Sequence, residues 1–207
     1  MGRTGNGIDE KLIKTGLKLA QSKGGINSFS IRELCSKAGA NLGMFSYYFK
    51  TRQNFNQEML KYAYSHLINE IEVKAADKSP RENIKQILLA MNSFAEKNRK
   101  ILSALAGDVL GGDKETIDFI MGNFTQHIRI LMEQISRAGL SGNAAKQHIF
   151  SVMAAMAMPI VIPQLICGLL ERTGKKETLA VMETAAQSPE SIEGRIEMLL
   201  DGAFGEK

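Results

Sequence analysis

The stretch from Ser30 to Lys50 constrains the fold more than any other part of the chain. Ser30-Ile31-Arg32-Glu33 has the form of a capping box, in which a serine and the glutamate three residues later satisfy each other's orphan backbone donors. The helix it opens has room for about two turns before Gly39, where a glycine adopts positive φ cheaply. Ala38-Gly39-Ala40-Asn41 then makes a tight turn, and Asn41 caps a second short helix running through Phe49. Ile31, Leu34, Cys35, Ala38 and Phe45 are the expected small core that sets the crossing of the two helices.

The rest of the chain reads as helix nearly throughout. Ile13, Gly16, Leu17 and Ala20 share one helical face, with Leu12 and Leu19 at its edge, Asp9 as the expected cap and Gly24-Gly25 as the stop. Thr51 caps a helix running toward Ala76, and Ser79-Pro80 places a cap before a proline at the first helical position. Ile84, Ile87, Leu88, Met91 and Phe94 form the stripe that follows. A helix over 101–110 is closed by Gly111-Gly112, and Ile117, Ile120, Phe124, Ile128, Leu131 and Ile135 predict one long amphipathic helix ending near Gly139. Ser141 begins another, and Ser188-Pro189 opens the last. No segment alternates as a strand does. The expectation is an all-α protein of about nine helices, with a three-helix N-terminal domain and a larger C-terminal helical bundle.

Net charge is +4, but residues 1–60 hold nine Lys or Arg against four acids, leaving the remainder at −1. A basic excess confined to one segment suggests a polyanion partner for that segment. The two short helices around Gly39 have the spacing of a helix-turn-helix, whose second helix enters the major groove of DNA. That helix, Asn41 to Phe49, contains Gly43, which costs on the order of 1 kcal/mol relative to alanine. Close approach of the backbone to another surface is a good reason to keep it. Phe45 and Phe49 are expected in the core; Tyr47, Tyr48 and Lys50 can reach a nucleic-acid backbone.

Residues 9 to about 60 resemble the DNA-binding domain of the TetR family of bacterial regulators. The resemblance lies in Leu12 to Ala20 with Gly24, in Ser30-Ile31-Arg32-Glu33-Leu34-Cys35-Ser36-Lys37-Ala38-Gly39, and in Gly43 followed by Tyr48-Phe49-Lys50. It implies an Ω-shaped homodimer with a DNA-binding domain at residues 1–50 (motif 30–49), a connecting helix at 51–76, and a C-terminal effector-binding and dimerisation domain at 77–207. Carried onto matching positions, it places Ser30, Tyr48 and Lys50 on phosphates, and Asn41, Leu42, Gly43, Met44 and Tyr47 in the groove of an operator. The family commonly has Ser at the position of Asn41, Lys or Thr around Leu42 and Met44, and Leu, Tyr and His at Phe45, Ser46 and Tyr47. Leu42 and Met44 offer base edges no hydrogen bond, though they can touch a thymine methyl. Beyond residue 76 the resemblance is architectural. It implies a cytoplasmic, ligand-responsive repressor that binds a palindromic operator as a dimer and is released by a small, largely apolar effector.

A pocket for such an effector would be apolar with a few polar anchors. Met91, Phe94, Phe124, Met153 and Met156 are the candidate lining; Asn123, His127 and His148 are the candidate anchors. Ser151 to Leu170 is uncharged and apolar, long enough to cross a bilayer, but Pro159, Pro163 and Gln164 favour a helix buried in a core or subunit interface. A membrane-associated protein built on that stretch, and the same fold used as a protein-interaction adaptor, are the alternatives. Enzymatic function is not expected. His66, His127 and His148 lack metal-ligand spacing, no GxSxG occurs, and Gly168 to Lys176 has one residue too many between its glycines for a phosphate-binding loop. No cofactor or metal is implied. Cys35 and Cys167, far apart and without CxxC spacing, read as reduced thiols. The start of the sequence has neither a lipidation pattern nor an apolar leader.

Overall fold

The computed structural model describes residues 7–74, 78–139, 143, 147, 151 and 189–204. Among them every regular element is a helix: α1 (Ile8–Lys23), α2 (Ile31–Ala38), α3 (Leu42–Phe49), α4 (Arg52–Lys74), α5 (Pro80–Lys97), α6 (Arg99–Leu110), α7 (Lys114–Asn123), α8 (Gln126–Arg137) and α9 (Pro189–Phe204). The chain divides into two compact units, one of residues 1–67 and 97–119, the other of 68–96 and 120–207.

In the first unit, α1 buries Leu12, Gly16, Leu19 and Ala20, while Ile13 and Leu17 stay half-buried. The buried stripe is therefore centred one side of the expected face. Gly16 explains the shift: it leaves room for the ring of Phe55 from α4 to lie against the helix backbone. Phe55 sits at the middle of an aromatic cluster, 5.0 Å from Phe49, 5.4 Å from Phe45 and 6.5 Å from Phe29 between ring centroids. Edge-on and tilted rings of this kind pack more favourably than a face-to-face stack. Leu34, Cys35 and Ala38 close the core from α2, and Ile31 is only half-buried. Cys35 is a free, buried thiol whose pKa is pushed up by desolvation.

Helix ends follow the local chemistry with two exceptions. Gly24 and Gly39 both terminate their helices at positive φ (112° and 63°). Asn41 and Thr51 accept the backbone N–H of Met44 (2.9 Å) and Asn54 (3.1 Å). Asp9, however, lies inside α1, whose cap is Gly7 without a side-chain bond; as a first-turn acid it complements the helix dipole. The capping box is half made. Ser30 Oγ accepts from Glu33 N at 3.1 Å, but the Glu33 carboxylate turns to Lys23 at 2.7 Å and Lys37 at 3.5 Å. A lysine brought alongside from α1 outcompetes a neutral amide for a carboxylate, because the bond is charge-assisted.

α6 belongs to this unit as well. Its Lys100 donates from Nζ to the Ser22 carbonyl at 2.6 Å, and Gln21 bonds Asn98 at 3.0 Å. A cation on the last carbonyls of α1 meets the negative end of that helix.

The second unit buries Ile84, Ile87 and Leu88 of α5 with Leu131 and Ile135 of α8 and Ile192, Ile196 and Leu200 of α9. Arg81 and Lys85 of α5 face Glu193, Glu197 and Asp201 of α9 across 2.6–2.9 Å. Buried Asn83 donates to Gln134 Oε1 at 3.1 Å. The long helix expected over 117–135 is two helices, with Phe124 and Thr125 between α7 and α8. Gly122, Asn123 and Thr125 are all poor helix formers, so the apolar period runs on across a point where the backbone does not. Ser151 to Leu170 lies outside the described residues except for Ser151, as does Cys167. Among the described residues no helix is long and apolar enough to cross a membrane.

Candidate nucleic-acid interface

α3 is a short helix with two unlike sides. Phe45 and Phe49, at i and i+4, are 3% and 4% exposed and lock it into the aromatic cluster. The opposite side is open: Leu42 is 48% exposed, Met44 41% and Tyr47 79%, and Gly43 and Ser46 are exposed with them. Apolar side chains grouped in water on one side of a helix make that side a candidate contact surface. Tyr48 is half-buried and packs edge-on against Tyr47, with centroids 5.1 Å apart.

Both ends of this surface carry polar groups. Asn41 and Ser30 are exposed, each with its side-chain oxygen engaged in a helix cap. Lys50 is exposed at the far end of α3 and is the one non-glycine residue with positive φ among the described residues (φ 63°, ψ −53°). All eight positions carried over from the resemblance, Ser30, Asn41, Leu42, Gly43, Met44, Tyr47, Tyr48 and Lys50, thus belong to one unit, along α3 and at the start of α2.

Sequence reasoning passed over three contributors to this region. Ser46 shares the outward side of α3, a placement its helical spacing from Leu42 and Gly43 implies. Lys11 of α1 brings its ammonium to the turn, where a Cβ built on Gly39 would lie 3.4 Å from its Nζ. With Lys14 and Lys18 it lines an open cavity of ≈ 360 Å³ along α1, completed by Gly7, Glu10 and Thr15. Lys14 is paired to Glu10 at 2.6 Å, which raises its pKa. The third is Arg52, whose guanidinium donates to the carbonyls of Phe29 (2.8 Å) and Ile26 (2.7 Å) and lies 4.4 Å over the Phe29 ring. It ties the loop before Ser30 to the start of α4 and so fixes where α2 begins.

The candidate effector residues that the structure describes belong to the second unit. Met91 and Phe94 are half-buried on α5, Asn123 is exposed at the end of α7, Phe124 is half-buried between helices, and His127 is half-buried in the first turn of α8. Desolvation lowers the His127 pKa, which keeps the imidazole neutral. His148, Met153 and Met156 lie outside the described residues. Among the described residues no group of three His, Cys, Asp or Glu is gathered as a metal site would require.

No family model matches the chain, and no curated protein matches it. Among solved structures it is similar to a crystal structure from Rhodococcus sp. assigned to the TetR family of transcriptional regulators. The TM-score is 0.67 over 96% of this chain and 98% of that one, at 13% identity. The protein has that fold: all-α, with a helix-turn-helix at its N-terminal end.

Proposed function

We propose that this fold serves here as a DNA-binding transcription regulator, with residues 1–50 as the DNA-binding domain, 51–76 as a connecting helix and 77–207 as the effector-binding and dimerisation domain. A fold hosts many functions, so the reading rests on the site. The observation that carries it is the outward side of α3, where Leu42, Gly43, Met44 and Tyr47 stand open on a helix anchored by Phe45 and Phe49. Ser30, Tyr48 and Lys50 flank that side with groups that suit phosphate oxygens. α3 is the reading element, and the lysines of α1 and Lys50 supply the salt-dependent attraction.

The regulator is a homodimer whose two α3 helices meet successive turns of a palindromic duplex. It acts as a repressor in the cytoplasm, released when a small, largely apolar effector binds one arrangement of the dimer better than the other. Met91, Phe94 and Phe124 support an apolar site, with Asn123 and neutral His127 as polar anchors.

Selection of bound fragments from random-sequence duplexes by the full-length protein tests the reading. Enrichment of a palindromic site, with affinity falling steeply as salt rises, is expected. Failure to enrich any site would overturn it.

A further inference from the structure

Leu42 to Phe49 contains no charged side chain and no side-chain amide. Guanine is read through O6 and N7 by an arginine or lysine, and adenine through N6 and N7 by the donor-acceptor fork of an asparagine or glutamine. α3 offers neither. Asn41, at its edge, holds the nearest amide, but Oδ1 already accepts the Met44 N–H at 2.9 Å, so the fork is half spent. The hydroxyls of Ser46 and Tyr47 pair with donors or acceptors alike and discriminate little. What remains on the open side is apolar: Leu42 at its start and Met44 one residue beyond Gly43, both outside the core. In the major groove the one apolar feature that distinguishes a base is the C5-methyl group of thymine.

We propose that Leu42 and Met44 read thymine methyl groups, so that each half-site carries thymines where α3 faces the groove. This rests on the DNA-binding reading above and names what that site selects. Specificity then comes from removing methyl and side-chain carbon from water together, not from hydrogen bonds. Gly43 serves the same end. It sets no side chain between Leu42 and Met44, and a Cβ there would lie 3.2 Å from Asn41 Oδ1, crowding the cap that starts the helix.

Replacing thymine by deoxyuridine in the selected site removes the methyl group and leaves base pairing intact. With the full-length protein, affinity should fall about fourfold for each methyl group contacted. The L42A/M44A double variant changes only exposed side chains, and thermal melting verifies that it folds. It should bind both duplexes alike while keeping the salt dependence of the parent. Equal affinity of the parent for the thymine and deoxyuridine duplexes would overturn the proposal and leave the DNA-binding reading standing. So would discrimination that survives in L42A/M44A. Failure to enrich any site would overturn both.

Discussion

Thr51 donates its backbone N–H to the carbonyl of Phe49 at 2.7 Å, closing a γ-turn around Lys50. With φ 63° and ψ −53°, Lys50 occupies the strained form of that turn, which a side chain disfavours. The conformation is imposed from both sides. Phe49 is fixed in the aromatic cluster, and Thr51 must cap α4 through its hydroxyl. Strain of this kind persists where the surroundings over-determine it, and it gathers at functional positions.

Lys50→Gly should therefore stabilise the fold by about 1 kcal/mol, since glycine takes positive φ without penalty. The same change should weaken DNA binding and reduce the salt slope by about one. Urea denaturation and a salt titration read the two effects separately. A Lys50→Gly variant that is less stable than the parent would contradict the strain.

Gly16→Ala should destabilise in spite of alanine's better helix propensity. The added Cβ runs into the Phe55 ring and comes within 3.2 Å of Met59 Sδ. That ring has nowhere to go, packed as it is by Phe29, Phe45 and Phe49. Overpacking of this sort costs about 1–3 kcal/mol, against a propensity gain of roughly 1 kcal/mol. Denaturant midpoints measure the balance, and trimming the ring with Phe55→Leu in the Gly16→Ala background should recover part of the overpacking loss.

Arg52→Lys keeps the charge but loses the two-pronged bond to Ile26 and Phe29 carbonyls and the stacking on Phe29. The ammonium donates from a single nitrogen and lacks the fixed fork that meets both carbonyls at once, so their pairing in a partly buried loop weakens. A loss of about 2 kcal/mol is expected by denaturation. Faster amide hydrogen exchange over residues 26–30 should accompany it.

His127 makes stability depend on pH in one direction. Its folded-state pKa lies below the ordinary 6.5 because burial penalises the charged ring. The unfolded chain therefore binds a proton first as pH falls. The contribution is intact above pH 6.5 and is lost as pH drops through 6.5 toward the folded-state value. Subtracting the stability profile of His127→Gln from that of the parent should leave a decline below pH 6.5. A flat difference would show the imidazole to be solvated.

Where the amino-acid order alone sufficed, the interactions were short in sequence. Ser30, Asn41 and Thr51 cap helices through donors three residues on, and Gly24 and Gly39 end helices by their own backbone freedom. The apolar spacing of α3 likewise placed Phe45 and Phe49 inside and Tyr47 outside, because a period of 3.6 residues needs no knowledge of the neighbour. Tertiary structure decided what distant residues compete for. Glu33 abandoned its capping box because Lys23 arrives from α1, and the stripe of α1 shifted because Phe55 lies against Gly16. Arg52 found carbonyls 23 and 26 residues away, and Lys100 reached the end of α1 from α6. Those partners exist only once the chain has folded, since a local pattern encodes which face is apolar but not which charge or ring will stand opposite it.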